Sequence, residues 1–157
     1  IIMGSDSDLP IVEAAFPILE SFGITFTKNV MSAHRTPHDV MELIKNSEQN
    51  GCKVFKAAAG MAAHLAGAVA AHSTKPVIGI PIESGGMGGI DSLLSTAMMP
   101  PGVPVATVAV GKSGAKNSAI LAVQILATSD DDLARKLKDY KENMRAEVLE
   151  KDKKLNS

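Results

Sequence analysis

Short apolar segments alternate with helical patterns along the first 129 residues, and this alternation constrains the fold more than any other feature of the chain. Apolar segments predict strands at residues 1–3, 24–31, 54–59, 77–80 and 103–110. Apolar spacing and stop signals predict helices at residues 8–22, 37–50, 62–71, 91–98 and 115–128. A chain that alternates in this way forms a doubly wound parallel sheet with helices on both faces.

A long charged helix is predicted to follow this alternating part. Residues 130–157 hold 16 of the 33 Asp, Glu, Lys and Arg residues, so only 17 remain in the first 129 residues. A small domain with so few charges is expected to bury surface against copies of itself, although an Ala-rich monomer is the alternative. We therefore expect one domain, residues 1–157, with residues 129–157 packing on a neighbouring subunit. The apolar face of that helix comprises Leu133, Leu137, Tyr140, Met144 and Val148.

Composition excludes several classes of protein. The net charge of −1 argues against a nucleic-acid scaffold and against a strongly basic membrane binder. The single cysteine, Cys52, allows no disulfide framework, which fits the cytoplasm, and no His, Cys and Asp residues have metal-ligand spacing. No apolar run reaches transmembrane length and no signal peptide is visible. Because the chain opens at Ile1 inside an apolar segment, a few residues of the first strand are expected to precede it.

Three polar segments each follow a predicted strand and precede a helix. They are residues 4–8, residues 32–37 and residues 57–67. Since ligands bind outside the carboxyl ends of the strands in sheets of this type, we expect the three segments to form one composite site.

The segment Ser32-Ala33-His34-Arg35-Thr36-Pro37 is the most informative of the three. Histidine is the residue type best suited to proton transfer at physiological pH. His34 stands beside a fixed cation, Arg35, and two hydroxyls, while Pro37 suits the first position of a helix. An anion-binding site that moves a proton needs these groups. The alternatives are a structural histidine and a surface arginine paired with an acid.

The other two segments carry weaker signals. In Gly4-Ser5-Asp6-Ser7-Asp8, backbone N–H groups and hydroxyls suit a phosphate, and Asp8 suits ribose hydroxyls, but Ser and Asp are also the usual helix caps. His64 stands at a helix start among alanines, where it either contacts a ligand or is a polar helix end. His38 and His72 have no supporting neighbours and are expected to be solvent-exposed. The glycine-rich residues 85–89 are either a lid or a simple connection.

Together these motifs resemble the phosphoribosylaminoimidazole carboxylase catalytic-subunit family of purine biosynthesis, and more closely its bacterial branch. The resemblance rests on the serine and aspartate turn, on the Ser32–Pro37 segment and on Ala62-Ala63-His64-Leu65. Asp91-Ser92-Leu93-Leu94-Ser95 and Gly102-Val103-Pro104-Val105 extend it over essentially the whole chain.

The resemblance implies a fold, an assembly and a reaction. The fold is flavodoxin-like with three layers, the assembly is a homo-octamer, and no metal or organic cofactor is used. The carboxylate of N5-carboxyaminoimidazole ribonucleotide moves from the exocyclic nitrogen to ring carbon 4, with His34 as general acid and base. The residues implied to bind this nucleotide are Ser5, Asp8, Ser32 and Arg35 at the phosphoribosyl part, and Gly60 and His64 at the aminoimidazole and carboxylate.

Other functions remain open at this point. The animal-type enzyme of the same family carboxylates aminoimidazole ribonucleotide directly with carbon dioxide, but it typically has lysine in place of Arg35. A non-catalytic phosphoribosyl-ligand-binding oligomer and a purely structural oligomer are alternatives of other classes. The chain also departs from the family pattern at Met61, usually glycine, at Ala66, usually proline, and at Lys56 in a strand that is usually apolar.

Overall fold

The computed structural model describes residues 1–157 and contains one sheet of five parallel strands. The strands are β1 (Ile2–Met3), β2 (Asn29–Val30), β3 (Phe55–Gly60), β4 (Val77–Ile82) and β5 (Ala106–Thr107). Their order in the sheet is β2-β1-β3-β4-β5, and every neighbouring pair is parallel. The predicted doubly wound parallel sheet is therefore confirmed, and the order reverses between β1 and β3.

The chain has seven α-helices, and the first six cover the two faces of the sheet. They are α1 (Leu9–Val12), α2 (Phe16–Ser21), α3 (Pro37–Gln49), α4 (Leu65–His72), α5 (Ile90–Ala97), α6 (Gly111–Ala127) and α7 (Asp131–Leu155). Helices α3, α4 and α5 lie on one face, and α1, α2 and α6 lie on the other. These helices and the sheet make the three layers that the sequence predicts.

Alternate strand residues divide the core between the two faces. Ile2 and Ala57 pack with α3 and α4, whereas Met3 and Ala58 pack with α1 and α6. This is the period of two that a parallel sheet imposes when both of its faces are covered. The small side chains of β3 allow helices on both faces to approach the strand next to the reversal point.

The predicted helix at residues 8–22 is broken in the structure. Two 3₁₀ segments, Asp6–Asp8 and Glu13–Ala15, alternate with α1 and α2. Pro10 and Pro17 lie in the first turns of α1 and α2, where a missing N–H is tolerated, but neither residue can donate to a continuous helix.

Two of the predicted strands are shorter than expected. Sheet pairing begins only at Asn29 in the predicted strand at residues 24–31, because β1 offers Ile2 and Met3 as partners. The predicted strand at residues 103–110 pairs only through Ala106 and Thr107. This is an edge strand, and Pro104 has no N–H for its ladder.

The helix predicted at residues 91–98 begins one residue earlier than expected, at Ile90. Gly89 occupies the capping position with φ +82°, and Asp91 lies inside the first turn. One oxygen of the Asp91 carboxylate is buried there without a hydrogen-bond partner.

The apolar face of α7 divides into a buried part and an exposed part. Leu133 is buried, and Leu137 and Tyr140 pack against the core formed by α2 and α6. Farther along, Met144 and Val148 are exposed. Packing on a neighbouring subunit thus stays a prediction for the second half of α7. No helix in the chain combines the length and apolar character needed to cross a bilayer.

Candidate active site

The segments that follow β1, β2, β3 and β4 meet at the carboxyl edge of the sheet and line one pocket of about 500 Å³. All seven residues that the sequence singles out lie in its wall: Ser5, Asp8, Ser32, His34, Arg35, Gly60 and His64. The expected composite site is therefore one continuous space. His38 and His72 are exposed, as predicted, and lie outside it.

The turn after β1 is held by reciprocal capping bonds. The Ser5 side chain accepts a hydrogen bond from the Ser7 N–H, and the Asp8 carboxylate accepts one from the Ser5 N–H at 3.1 Å. The capping interpretation of this segment is thus correct for the backbone, yet the same side chains border the pocket. Burial raises the pKa of the Asp8 carboxyl above its usual range, against the opposing effect of the Ser5 N–H.

Arg35 carries a positive charge that no carboxylate neutralises. Its Nη2 donates to the Gly4 carbonyl at 3.2 Å, which places the guanidinium over the end of β1. The backbone N–H of Arg35 donates to the Ser32 hydroxyl, which fixes the loop. All three ion pairs in the chain lie on α7: Arg135–Asp132, Arg145–Glu142 and Lys154–Glu150. The alternative of a surface arginine paired with an acid is therefore wrong, and the cation is available to an anion.

His34 and His64 are joined by a hydrogen bond between their rings. His34 Nε2 lies 2.8 Å from His64 Nδ1, and the rings meet edge to face at 73°. One nitrogen must donate and the other must accept, so two imidazolium rings cannot keep the bond. The pair can instead take up or release one proton while the bond persists. A proton relay of this kind suits acid–base chemistry near neutral pH.

The turn between β3 and α4 contains the only non-glycine residue with a positive φ. Met61 has φ +55°, a left-handed conformation that costs a side-chain-bearing residue roughly 1–2 kcal/mol. Ala63 N–H then donates to the Met61 carbonyl and His64 N–H donates to the Ala62 carbonyl, so the chain turns sharply. This turn brings His64 to the start of α4 and beside His34, which explains why glycine suits position 61.

Sequence analysis missed one hydroxyl in the pocket wall, that of Ser84. β4 continues to Ile82, two residues farther than predicted, and Ser84 therefore follows a strand end as the other site residues do. Its side chain lies against Gly60: a Cβ placed on Gly60 would overlap Ser84 Oγ and lie 2.9 Å from Ser84 Cβ. Correct placement of the end of β4 was the signal that would have identified it.

A larger cavity of about 650 Å³ opens at the amino ends of the strands. It contains no histidine or arginine and none of the predicted site residues. Lys56 lies in its wall with Nζ buried and unpartnered, and burial lowers the pKa of this lysine to about 8. Because the smaller pocket combines a free cation, hydroxyls and a histidine pair, we take the smaller pocket as the candidate active site.

Comparison with known protein families finds one model that matches residues 1–147, and this model is described as AIR carboxylase. The N5-carboxyaminoimidazole ribonucleotide mutase of Thermotoga maritima is 52% identical over 155 residues, 99% of this chain and 90% of that protein. The mutase of Bacillus subtilis is 50% identical over 150 residues, 96% of this chain and 93% of that protein. The mutase of Escherichia coli K12 is 45% identical over 150 residues, 96% of this chain and 89% of that protein.

Comparison with solved structures agrees with these matches. The crystal structure of Treponema denticola PurE superposes with a TM-score of 0.90 at 30% sequence identity. The aligned region covers 99% of this chain and 96% of that one. The whole fold, including the pocket edge of the sheet, is thus shared.

Proposed function

This chain belongs to the AIR carboxylase family, as its motifs predict, and on that premise we propose that it is an N5-carboxyaminoimidazole ribonucleotide mutase of purine biosynthesis. It moves the carboxylate from the exocyclic nitrogen to ring carbon 4 and yields 4-carboxyaminoimidazole ribonucleotide. The observation that carries the proposal is the bonded His34–His64 pair, which shares one pocket with the unpaired cation of Arg35.

The phosphoribosyl part of the substrate is assigned to the turns after β1 and β2. Arg35 has no carboxylate partner, so its fork is free for phosphate oxygens. The Ser5 and Ser32 hydroxyls border the same space and supply further hydrogen bonds. Asp8 accepts from the ribose hydroxyls, a role for which its carboxylate is already oriented by the Ser5 N–H.

The base end of the substrate is assigned to the turn after β3. The backbone of Gly60 lines this end of the pocket, and its missing side chain makes room for Ser84. His64 lies nearby at the start of α4. The first turn of α4 adds backbone N–H groups near the carboxylate, which favours negative charge there. Ala59, Ala62 and Leu65 complete a small apolar wall.

His34 donates one proton to the substrate and takes one proton back, so the reaction balances. His34 as imidazolium protonates the exocyclic nitrogen, the bond from that nitrogen to the carboxylate breaks, and carbon dioxide is released inside the pocket. Carbon 4 of the electron-rich ring attacks carbon dioxide, and neutral His34 then removes the proton from carbon 4. No electron is gained or lost overall, and His34 returns to its starting state.

Retention of carbon dioxide is the main demand on the site. A molecule held beside carbon 4 reacts as if it were present at very high concentration, whereas a molecule that escapes is diluted. The small apolar wall has no group that reacts with carbon dioxide. Residues 85–89 follow Ser84 as a loop that is exposed at residues 85–88, with φ of +98° at Gly85 and +62° at Gly88, and this loop is suited to act as a lid.

The proposal includes a homo-octamer in the cytoplasm. Large apolar side chains recur every four residues on the outer face of α5, at Ile90, Leu94 and Met98, and all three are exposed. Met61 and Met87 are exposed as well. A surface of this kind is typical of contacts between copies of a chain.

An isotope experiment tests the reaction. Unlabelled N5-carboxyaminoimidazole ribonucleotide is mixed with the protein in ¹⁴C-bicarbonate, and label in the product is measured. We expect rapid conversion with little label. If aminoimidazole ribonucleotide plus labelled bicarbonate is the better substrate pair at low concentration, the chain is a direct carboxylase. Binding of product without any turnover would instead support the non-catalytic ligand-binding oligomer.

A further inference from the structure

We propose that the Ser84 hydroxyl is a substrate-contacting group that donates a hydrogen bond to the carboxylate carried by the base. This inference rests on the proposed function and adds a residue that recognises the transferred group. Ser84 lines the pocket, where the hydroxyls of Ser5, Ser7 and Ser32 are each bonded to protein groups. The Ser84 hydroxyl makes no hydrogen bond to the protein, and it is accessible from the pocket.

Contact with Gly60 fixes the Ser84 side chain in place. A Cβ at position 60 would overlap Ser84 Oγ, would lie 2.9 Å from Ser84 Cβ and would lie 3.1 Å from the Ile82 carbonyl. Glycine at position 60 therefore lets the serine side chain lie flat on the end of β3. A half-buried hydroxyl that is positioned by a neighbouring backbone, yet lacks a partner, is prepared to bond a ligand.

The sheet order places Ser84 away from the phosphate end. Arg35 bonds Gly4 at the end of β1, and β4 is separated from β1 by β3. Two strand spacings amount to about 10 Å. A nucleotide whose phosphate lies over β1 therefore extends its base towards Gly60 and Ser84. The only ionised group of the substrate at that end is the carboxylate, which is an acceptor and so matches a hydroxyl donor.

The test compares two nucleotides that differ only in the carboxylate. Binding of 4-carboxyaminoimidazole ribonucleotide and of aminoimidazole ribonucleotide is measured by calorimetry for the wild-type protein, for Ser84→Ala and for Ser129→Ala. Ser129 is exposed before α7 and serves as the matched control. A hydrogen bond to a charged group predicts that Ser84→Ala binds the carboxylated nucleotide ~10-fold or more weakly. Binding of the carboxylate-free nucleotide should not change.

A second pair of variants tests the contact with Gly60. Gly60→Ala should weaken the binding of both nucleotides, because the added Cβ displaces Ser84 and narrows the pocket. The double variant Gly60→Ala, Ser84→Gly removes the overlap, so it should regain affinity for the carboxylate-free nucleotide but not the preference for the carboxylated one. Recovery of that preference would overturn the proposal.

The remaining outcomes are distinct. If Ser84→Ala weakens the binding of both nucleotides equally, or of neither, Ser84 does not bond the carboxylate, and the mutase function is unaffected by that result. A wild-type protein that neither binds nor converts the carboxylated nucleotides rejects the proposed function, and this inference with it.

Discussion

At the scale of single residues, the site depends on a hydrogen bond between two histidines and on an arginine that pairs with no carboxylate. The rings of His34 and His64 share one hydrogen bond and the proton in it, while the Arg35 guanidinium has only the Gly4 carbonyl as its protein partner. Elsewhere in the chain, cations on α7 pair with nearby carboxylates. The contrast indicates that the pocket retains charge and hydrogen-bonding capacity for a ligand.

Replacing His34 with asparagine should abolish turnover while leaving binding nearly intact. A positioned acid or base contributes ~10²- to 10⁴-fold to the step that it assists, and His34 assists both proton transfers, so whichever of them limits turnover should slow by about that factor. Stopped-flow turnover and product titration measure the two effects separately. His38→Asn is the control, since His38 is exposed outside the pocket. A near-normal rate in His34→Asn would remove His34 from the mechanism.

Replacing Lys56 with methionine should stabilise the fold at neutral pH. Burial lowers the pKa of Lys56 from 10.5 to about 8, so charging this residue in the folded state below that pH opposes folding. The shift corresponds to roughly 3 kcal/mol in the free energy of unfolding, which Lys56→Met should recover at pH 7.

The stability gained by Lys56→Met should decrease as the pH rises. Between about 8 and 10.5 the unfolded chain binds more protons at Lys56 than the folded chain does, so wild-type stability rises with pH and the advantage of methionine shrinks. Urea unfolding at pH 7 and pH 9.5 measures both proteins. If the free energy of unfolding does not differ between the two proteins, or differs equally at both pH values, the assignment of a buried charged amine is contradicted.

At the scale of elements, helix–strand alternation predicted a doubly wound parallel sheet but not where strand pairing begins and ends. Residues 24–28 have a strand pattern, yet pairing depends on the extent of β1, which no local pattern encodes. All seven residues predicted for the site line the candidate pocket, and each lies in a contiguous sequence motif. The His34–His64 bond joins residues 30 positions apart, and Ser84 carries no motif, so both needed the tertiary structure.

Removing residues 142–157 should lower the oligomer order without unfolding the subunit. Leu133, Leu137 and Tyr140 stay in place to cover the core at α2 and α6, while the exposed Met144 and Val148 are lost. Light scattering measures the assembly and circular dichroism measures the fold. The matched control is the full chain with Lys151→Ala, which changes an exposed residue of the same segment. An unchanged octamer in the truncated protein would exclude this half of α7 from subunit contacts.

At the scale of the whole molecule, the pocket and the exposed apolar surface belong to connected parts of the structure. Met61 adjoins Gly60 in the pocket wall, and the Ser95 hydroxyl of α5 reaches the Met61 carbonyl at 3.5 Å. The apolar outer face of α5 is therefore linked to the turn that positions His64. Assembly through α5 would fix this turn from outside.

Leu94→Glu should both weaken assembly and reduce activity. Leu94 is 52% exposed, so a charge there leaves the subunit core unaffected but is costly once copies of the chain cover it. Sedimentation and turnover are measured over a range of protein concentration, with Met41→Glu as the control, since Met41 is an exposed apolar residue of α3 outside the surfaces assigned to subunit contacts. Normal assembly of Leu94→Glu at low concentration would show that α5 faces solvent in the native oligomer.

Every residue that lines the pocket falls between positions 4 and 84, and the 73 positions after Ser84 line none of it. Random substitutions should therefore affect the two parts of this chain through different properties. Changes at the pocket-lining positions alter binding and chemistry directly, whereas changes beyond the loop at residues 85–89 act through folding and assembly. In a library of random variants scored for abundance and for growth, loss of growth at normal abundance should be concentrated before residue 90.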